Sequence, residues 1–70
     1  MRKYHVLFER IHGFWCIEFG AYDRADVVAE RQDRRDHDVR AKDLRIITLM
    51  NDQQNTMTQA QRDLNASIPR

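Results

Sequence analysis

Tyr4, Val6 and Phe8 alternate with His5, Leu7 and Glu9, and this period of two predicts a strand over residues 3–9. Trp15, Ile17 and Phe19 alternate with Cys16 and Glu18, predicting a second strand over 14–19. The segment is rich in aromatic and β-branched residues, which pack well on a pleated surface. Between the two runs lies Arg10-Ile11-His12-Gly13. Gly13 offers the positive φ that a hairpin loop of three to five residues commonly needs.

Gly20-Ala21-Tyr22-Asp23 ends the second run. Asp23 is a good N-cap, and Asp26 adds a carboxylate to the first turn, so a helix is predicted over 24–36. Its apolar side is thin: Ala25, Val28 and Ala29, then Gln32 and Arg35, whose aliphatic stems are expected to cover the sheet. No glycine closes this helix, so the left-handed turn falls to His37 or Asp38. Residues 44–50 are nearly continuous in apolar character, the mark of a strand that is central or covered on both faces. Asn51-Asp52 offers a second cap. Met57, Ala60, Leu64 and Ile68 then fall at helical spacing, predicting a weak amphipathic helix over 53–66 with a frayed end at 67–70.

The order is β-β-α-β-α in a single α+β domain over 1–70, with its core at about 3–50 and the C-terminal helix and tail at 52–70. A helix between the second and third strands makes those two parallel, with a right-handed crossover. Placing the third strand beside the first gives a three-stranded antiparallel sheet in the order 2-1-3. Large apolar residues stand at both parities: Leu7, Phe14, Cys16, Ile47 and Leu49 on one, Val6, Trp15, Ile17, Phe19 and Ile46 on the other. Trp15, Phe19 and Tyr22 are expected to anchor the first helix. The second face is then left for the C-terminal helix, a second copy of the chain or another protein.

Composition narrows the function. The chain has 70 residues, 41% hydrophobic and 33% charged, with 12 Lys+Arg against 11 Asp+Glu and a net charge of +1. No global field draws in nucleic acid or an anionic membrane. One cysteine excludes an internal disulfide and a multi-cysteine zinc site, and it fits a reducing cytoplasm. No apolar run approaches the length of a membrane span.

Candidate chemistry is sparse. His5, His12, Cys16 and His37 are the only soft metal ligands, and their spacing matches no compact zinc pattern. Asp33, Asp36, Asp38 and Asp43 lack the glycine and the regular spacing of a cation loop. The interleaved arginines read instead as a solvated face with i, i+4 pairs such as Glu30–Arg34. No nucleophile–base motif or glycine-rich phosphate loop is present, so neither a cofactor nor enzymatic activity is expected.

The run from Trp15 to Arg24, with Phe19-Gly20-Ala21-Tyr22-Asp23-Arg24 at its heart, continues into Glu30-Arg31 and Ala41-Lys42-Asp43-Leu44-Arg45-Ile46-Ile47. Together these resemble a group of small uncharacterised proteins encoded by bacteriophages, prophages and plasmids. The chain departs from them at His37-Asp38-Val39, where a glycine and a tyrosine are the expectation. The resemblance implies a mobile-element accessory protein, and such proteins commonly act by binding a host protein. Inhibitors of bacterial defence complexes, anti-CRISPR proteins among them, are one known outlet.

The expected function is therefore non-catalytic binding of a host protein in the bacterial cytoplasm. The contact would be the second sheet face (Leu7, Phe14, Ile47, Leu49) or the charged helix (Arg31, Arg34, Arg35, Asp36), with Phe14 and Ile11 beside the hairpin turn as anchors. The alternatives are nucleic-acid binding through Arg31, Arg34, Arg35, Arg40 and Lys42, and a structural homodimer through the uncovered sheet face.

Overall fold

A computed structural model describes residues 3–67. The strands β1 (Tyr4–Ile11) and β2 (Phe14–Ala21) are followed by helix α1 (Arg24–Asp36), a single 3-10 turn (Ala41–Asp43), strand β3 (Leu44–Leu49) and helix α2 (Gln54–Ala66). The sheet is antiparallel in the order β2-β1-β3, as the element order predicts, and β1 is its central strand. Ile68, the last residue of the predicted helical stripe, and Pro69 and Arg70 of the frayed end lie outside the described residues.

The hairpin loop is shorter than expected. Only His12 and Gly13 separate the strands, with φ of 52° and 86°. Positive φ at both central residues is the signature of a type I′ turn, whose twist matches that of the flanking strands. Histidine tolerates this region better than most side chains. The strands can therefore run two residues further toward the turn than the alternation alone suggests.

A bulge sets the parity of β2. Leu7 pairs with Phe19 and Phe8 with Ile17, so Glu18 is an extra residue in β2. One inserted residue moves every later side chain to the opposite face. Trp15 and Ile17 thus lie on one face of the sheet with Val6 and Phe8, whereas Phe19 and Ala21 lie on the other with Leu7. Strict alternation, which grouped Phe19 with Trp15 and Ile17, fails at this point. The β1–β3 register likewise puts Val6 beside Ile47 and Leu7 beside Ile46, separating Val6 from Ile46.

Each face carries one helix. On the α1 side Leu7, Val27 and Leu44 are buried, with Phe19, Ala21, Val39 and Ile46 packed around them. On the α2 side Val6, Phe8, Trp15 and Leu64 are buried, flanked by Tyr4, Ile17, Ile47, Leu49, Met57 and Ala60. Helix α1 presents Val27 to the sheet, while Ala25, Val28 and Ala29, the expected apolar side, face solvent. Glu30 and Arg34 are partly buried where Gln32 and Arg35 were expected, and the latter two are exposed. The helix is rotated by about one residue, or roughly 100°, relative to the apolar stripe.

Both helix ends of α1 follow from side-chain chemistry. The Asp23 carboxylate accepts the N–H of Ala25 at 3.0 Å. At the other end Asp38 takes φ of 69°, its N–H donating to the Arg35 carbonyl, while the Val39 N–H donates to that of Arg34, each at 3.1 Å. This pair of bonds is a Schellman motif, with Asp38 where glycine is usual and Val39 making the accompanying apolar contact.

The packing corrects the expected docking face. Leu7 is fully buried under α1 and cannot meet a partner. Ile47 and Leu49 lie on the opposite face and are half-covered by α2. The β1–β3 register, which pairs Ile47 with Val6 and Leu49 with Tyr4, makes one shared face for Leu7, Phe14, Ile47 and Leu49 impossible.

Candidate interaction surfaces

The charged residues of α1 are not equally available. Arg34 Nε donates to Glu30 at 3.1 Å, and its Nη1 reaches Glu9 at 3.0 Å and Glu18 at 3.8 Å. Glu9 comes from the central strand, Glu18 from the bulge and Glu30 from the preceding helical turn. Only about a quarter of the Arg34 side chain is exposed, 25%. Partial burial lowers its pKa, but the hydrogen bond to Glu9 and the charges of Glu18 and Glu30 outweigh this and raise it. Arg34 therefore ties α1 to the sheet, and the expected Glu30–Arg34 pair is one part of that tie. Asp36 accepts from Gln32 at 3.0 Å within α1 and is exposed, as is Arg35. Arg31 is half-buried.

Other basic residues gather around Trp15. The guanidinium carbons of Arg10 and Arg45 stand 5.7 and 5.2 Å from its ring centre, and Arg10 also pairs with Asp43 at 3.0 Å. Trp15 is only 4% exposed, so its ring is spent on packing and on these cation–π contacts.

Phe14 has a different environment from its neighbour. It is 64% exposed, the first residue after the type I′ turn and paired with Ile11. The Arg34–Glu9 bond places the last turn of α1 at this same hairpin end of the sheet, so Arg35 shares that end of the molecule with Phe14.

The four soft ligands are not brought together. His5 shares a hydrogen bond with Thr48 at 2.9 Å, His12 sits in the turn, and the Cys16 thiol donates weakly to the Phe14 carbonyl at 3.7 Å. His37 caps α1, its Nδ1 lying 2.8 Å from the Asp33 carbonyl oxygen. That bond and the Asp33 charge, with Asp36 behind, raise its pKa. Among the described residues no group of three or more His, Cys, Asp or Glu is placed to hold a metal ion.

The two edges of the sheet differ. On β2 the side-chain amide of Asn65 bonds both the N–H and the carbonyl of Trp15. On β3 the alternation of hydrogen-bonded pairs, counted from the tight turn through β1, points the peptide groups of Leu44, Ile46 and Thr48 outward. Leu44 N–H is taken by the Ala41 carbonyl. Among the described residues, nothing closes the outward groups of Ile46 and Thr48. Beside this edge runs a shallow open groove lined by Leu49 and by Asn55, Thr56, Gln59, Ala60 and Asp63 of α2. Asn65, Glu9 and Glu18 had no distinguishing mark in the sequence, since each acquires its partner only when distant segments meet.

No protein-family model matches the chain, and no curated protein or solved structure does either.

Proposed function

We propose that this is a non-catalytic accessory protein that acts by binding a host protein, with the hairpin tip as the contact. One observation carries the reading: Phe14, a large aromatic, stands 64% exposed immediately after a two-residue turn, while Trp15 beside it is buried. Exposed aromatics on a fixed backbone lose little entropy on binding and commonly dominate interface energy, with arginine as their frequent companion. Arg35, and Arg31 to the extent that it is exposed, supply that companion. The resemblance to mobile-element proteins supports the choice of a host protein as the partner, and an inhibitor of a defence complex is one form such a protein takes. Arg34 drops out of the contact, because its guanidinium already serves Glu9, Glu18 and Glu30. The nucleic-acid alternative loses Arg34 for the same reason, since phosphate binding needs cations not already paired.

The test is retention of a partner from lysate of the host bacterium by the tagged wild type, Phe14→Ser and Arg35→Glu, with Arg62→Glu on the far helix as control. The reading expects a partner held by the wild type and the control, and held at least about tenfold more weakly by Phe14→Ser. A partner held equally well by Phe14→Ser removes the hairpin tip from consideration, and retention of nothing by the wild type removes the function.

A further inference from the structure

We propose that β3 pairs antiparallel with β3 of a second copy, joining the two into one continuous six-stranded sheet. This surface lies apart from the hairpin tip and stands whether or not a host protein binds there. The argument begins with the peptide groups. Ile46 and Thr48 point their N–H and carbonyl groups outward, and a strand edge left in this state is a template for pairing. Devices that normally discourage pairing are missing from β3: it has no proline and no bulge against β1, and its one charge is Arg45. The β2 edge, in contrast, carries both a bulge and the Asn65 clamp.

One register satisfies the strand against itself. With the two-fold axis at Ile47, Ile46 exchanges hydrogen bonds with Thr48 of the second copy, and the symmetric pair does the same. Ile47 then opposes its own counterpart. Leu44 opposes Met50 of the second copy, which covers a side chain that is 61% exposed in the single chain. No like charges stand opposite one another.

Arg45 decides between a second copy and an arbitrary strand. In this register it stands opposite Leu49 of the second copy, on the face that carries α2. Leu49 floors the groove whose rim includes Asp63, an exposed carboxylate whose hydrogen bond comes from Gln59 of its own helix. Arg45, which lies over its own Trp15 in the single chain, has to swing outward across the new strand pair to reach that carboxylate. Each copy then gives one guanidinium to the other's groove and receives one in return. The helices leave room for this: three strand spacings part the two β1 strands, about 14 Å. The pairing is a small interface, placing it in the weak range of association.

Sedimentation equilibrium at about 0.5 mM, high enough to populate a weak dimer, tests the proposal. The expected mass is twice the 8.4 kDa of one chain. Asp63→Arg and Arg45→Glu should each raise the dissociation constant at least about tenfold, because each sets like charges face to face in both grooves. An equal mixture of the two variants should recover the dimer, since every facing pair is again of opposite sign. A single-chain mass for the wild type, or a dimer indifferent to Asp63→Arg, overturns the proposal. So does a mixture that stays monomeric when circular dichroism shows both variants folded. Should Arg45→Glu fail to fold through loss of its Trp15 contact, Asp63→Arg decides alone, because Asp63 lies on the exposed side of α2.

Discussion

The side chain of Asn65 stands in for a missing strand at Trp15. Its Oδ1 accepts the Trp15 N–H at 2.7 Å, and its Nδ2 donates to the Trp15 carbonyl at 3.3 Å. Trp15 is a residue of β2 whose peptide groups point away from β1, as the tight turn requires. The amide thus satisfies a strand edge and pins the last turn of α2 to the sheet through one pair of bonds.

Removing that amide should release α2 before the rest of the fold. Asn65→Ala leaves two part-buried backbone groups without their partner and is expected to cost about 1–2 kcal/mol. Asn65→Asp keeps an acceptor for the N–H but sets a carboxylate oxygen against the Trp15 carbonyl, so it should cost at least as much despite its matching shape. Trp15 is the only tryptophan, so urea unfolding followed by its fluorescence reads both variants. A fully stable Asn65→Asp would contradict this account.

Arg34 offers the second test, because three carboxylates depend on it. Arg34→Met keeps the aliphatic stem but leaves Glu9, Glu18 and Glu30 facing one another, and a loss of about 1–3 kcal/mol is expected. Adding Glu18→Gln should recover part of that loss, since it lowers the repulsion among the three. Guanidinium chloride is unsuitable for this measurement because its salt screens the charges, so urea midpoints are the quantity to compare. If the double variant is no more stable than Arg34→Met, the cluster is not coupled.

These two contacts mark how far the sequence could be read. The hairpin, the cap of α1, the strand order and the identity of the strands and both α-helices were legible. Each rests on local signals such as the alternation of 4–8, Gly13, Asp23 and the apolar run at 44–50. The 3-10 turn Ala41–Asp43 was not legible, and α2 starts at Gln53 without a side-chain cap in place of the expected Asn51-Asp52. What the alternation could not reveal was the bulge. Glu18 is one polar residue among alternating ones, and nothing local says that it will be skipped in the pairing with Leu7 and Phe8. That single insertion sends Phe19 to the α1 face, while the β1–β3 register separates Ile47 and Leu49 from Leu7 and Phe14 and so dissolves the expected docking surface. The rotation of α1 was hidden for a related reason. Val27 and Arg34, seven residues apart, share the face turned to the sheet, where Val27 meets Leu7 and Leu44 and Arg34 meets Glu9 and Glu18. These partners are non-local, and an apolar stripe does not record them. Phe14 survived as a candidate because its position rests on the turn alone.

The two glycines should fail for opposite reasons. Gly13 has φ of 86° with open space where a side chain would stand, so Gly13→Ala brings strain without a clash and should cost about 1 kcal/mol. Gly20 has no such backbone demand, but a Cβ there would run into the ring of Tyr4. Gly20→Ala must therefore displace Tyr4 from its edge-on packing with Tyr22, where the ring centres are 4.9 Å apart. The combination Gly20→Ala with Tyr4→Leu should regain stability relative to Gly20→Ala, whereas no second change near Gly13 should help Gly13→Ala. Thermal melts of these variants separate the two cases. Equal behaviour of both glycines would show that the Tyr4 contact is immaterial.

His37 should make the stability of α1 depend on pH. Its ring donates to the Asp33 carbonyl and lies 3.9 Å from the Asp33 carboxylate, at the negative end of the helix. These interactions favour the charged ring and raise its pKa in the folded state. A group that binds its proton more tightly when folded stabilises most where both states are protonated, below the ordinary histidine value of about 6.5. That contribution is lost as pH rises through the raised folded value. Wild type should therefore exceed His37→Asn in melting temperature by a wider margin at pH 5 than at pH 8. Added salt should narrow the margin at pH 5 and leave it nearly unchanged at pH 8. The ring is largely exposed, so the effect is confined to fraying of the last turn, and amide exchange at His37, Asp38 and Val39 is its most direct readout. A margin that widens toward pH 8 would mean that the neutral ring, donating its single N–H to Asp33, is the form that holds the cap.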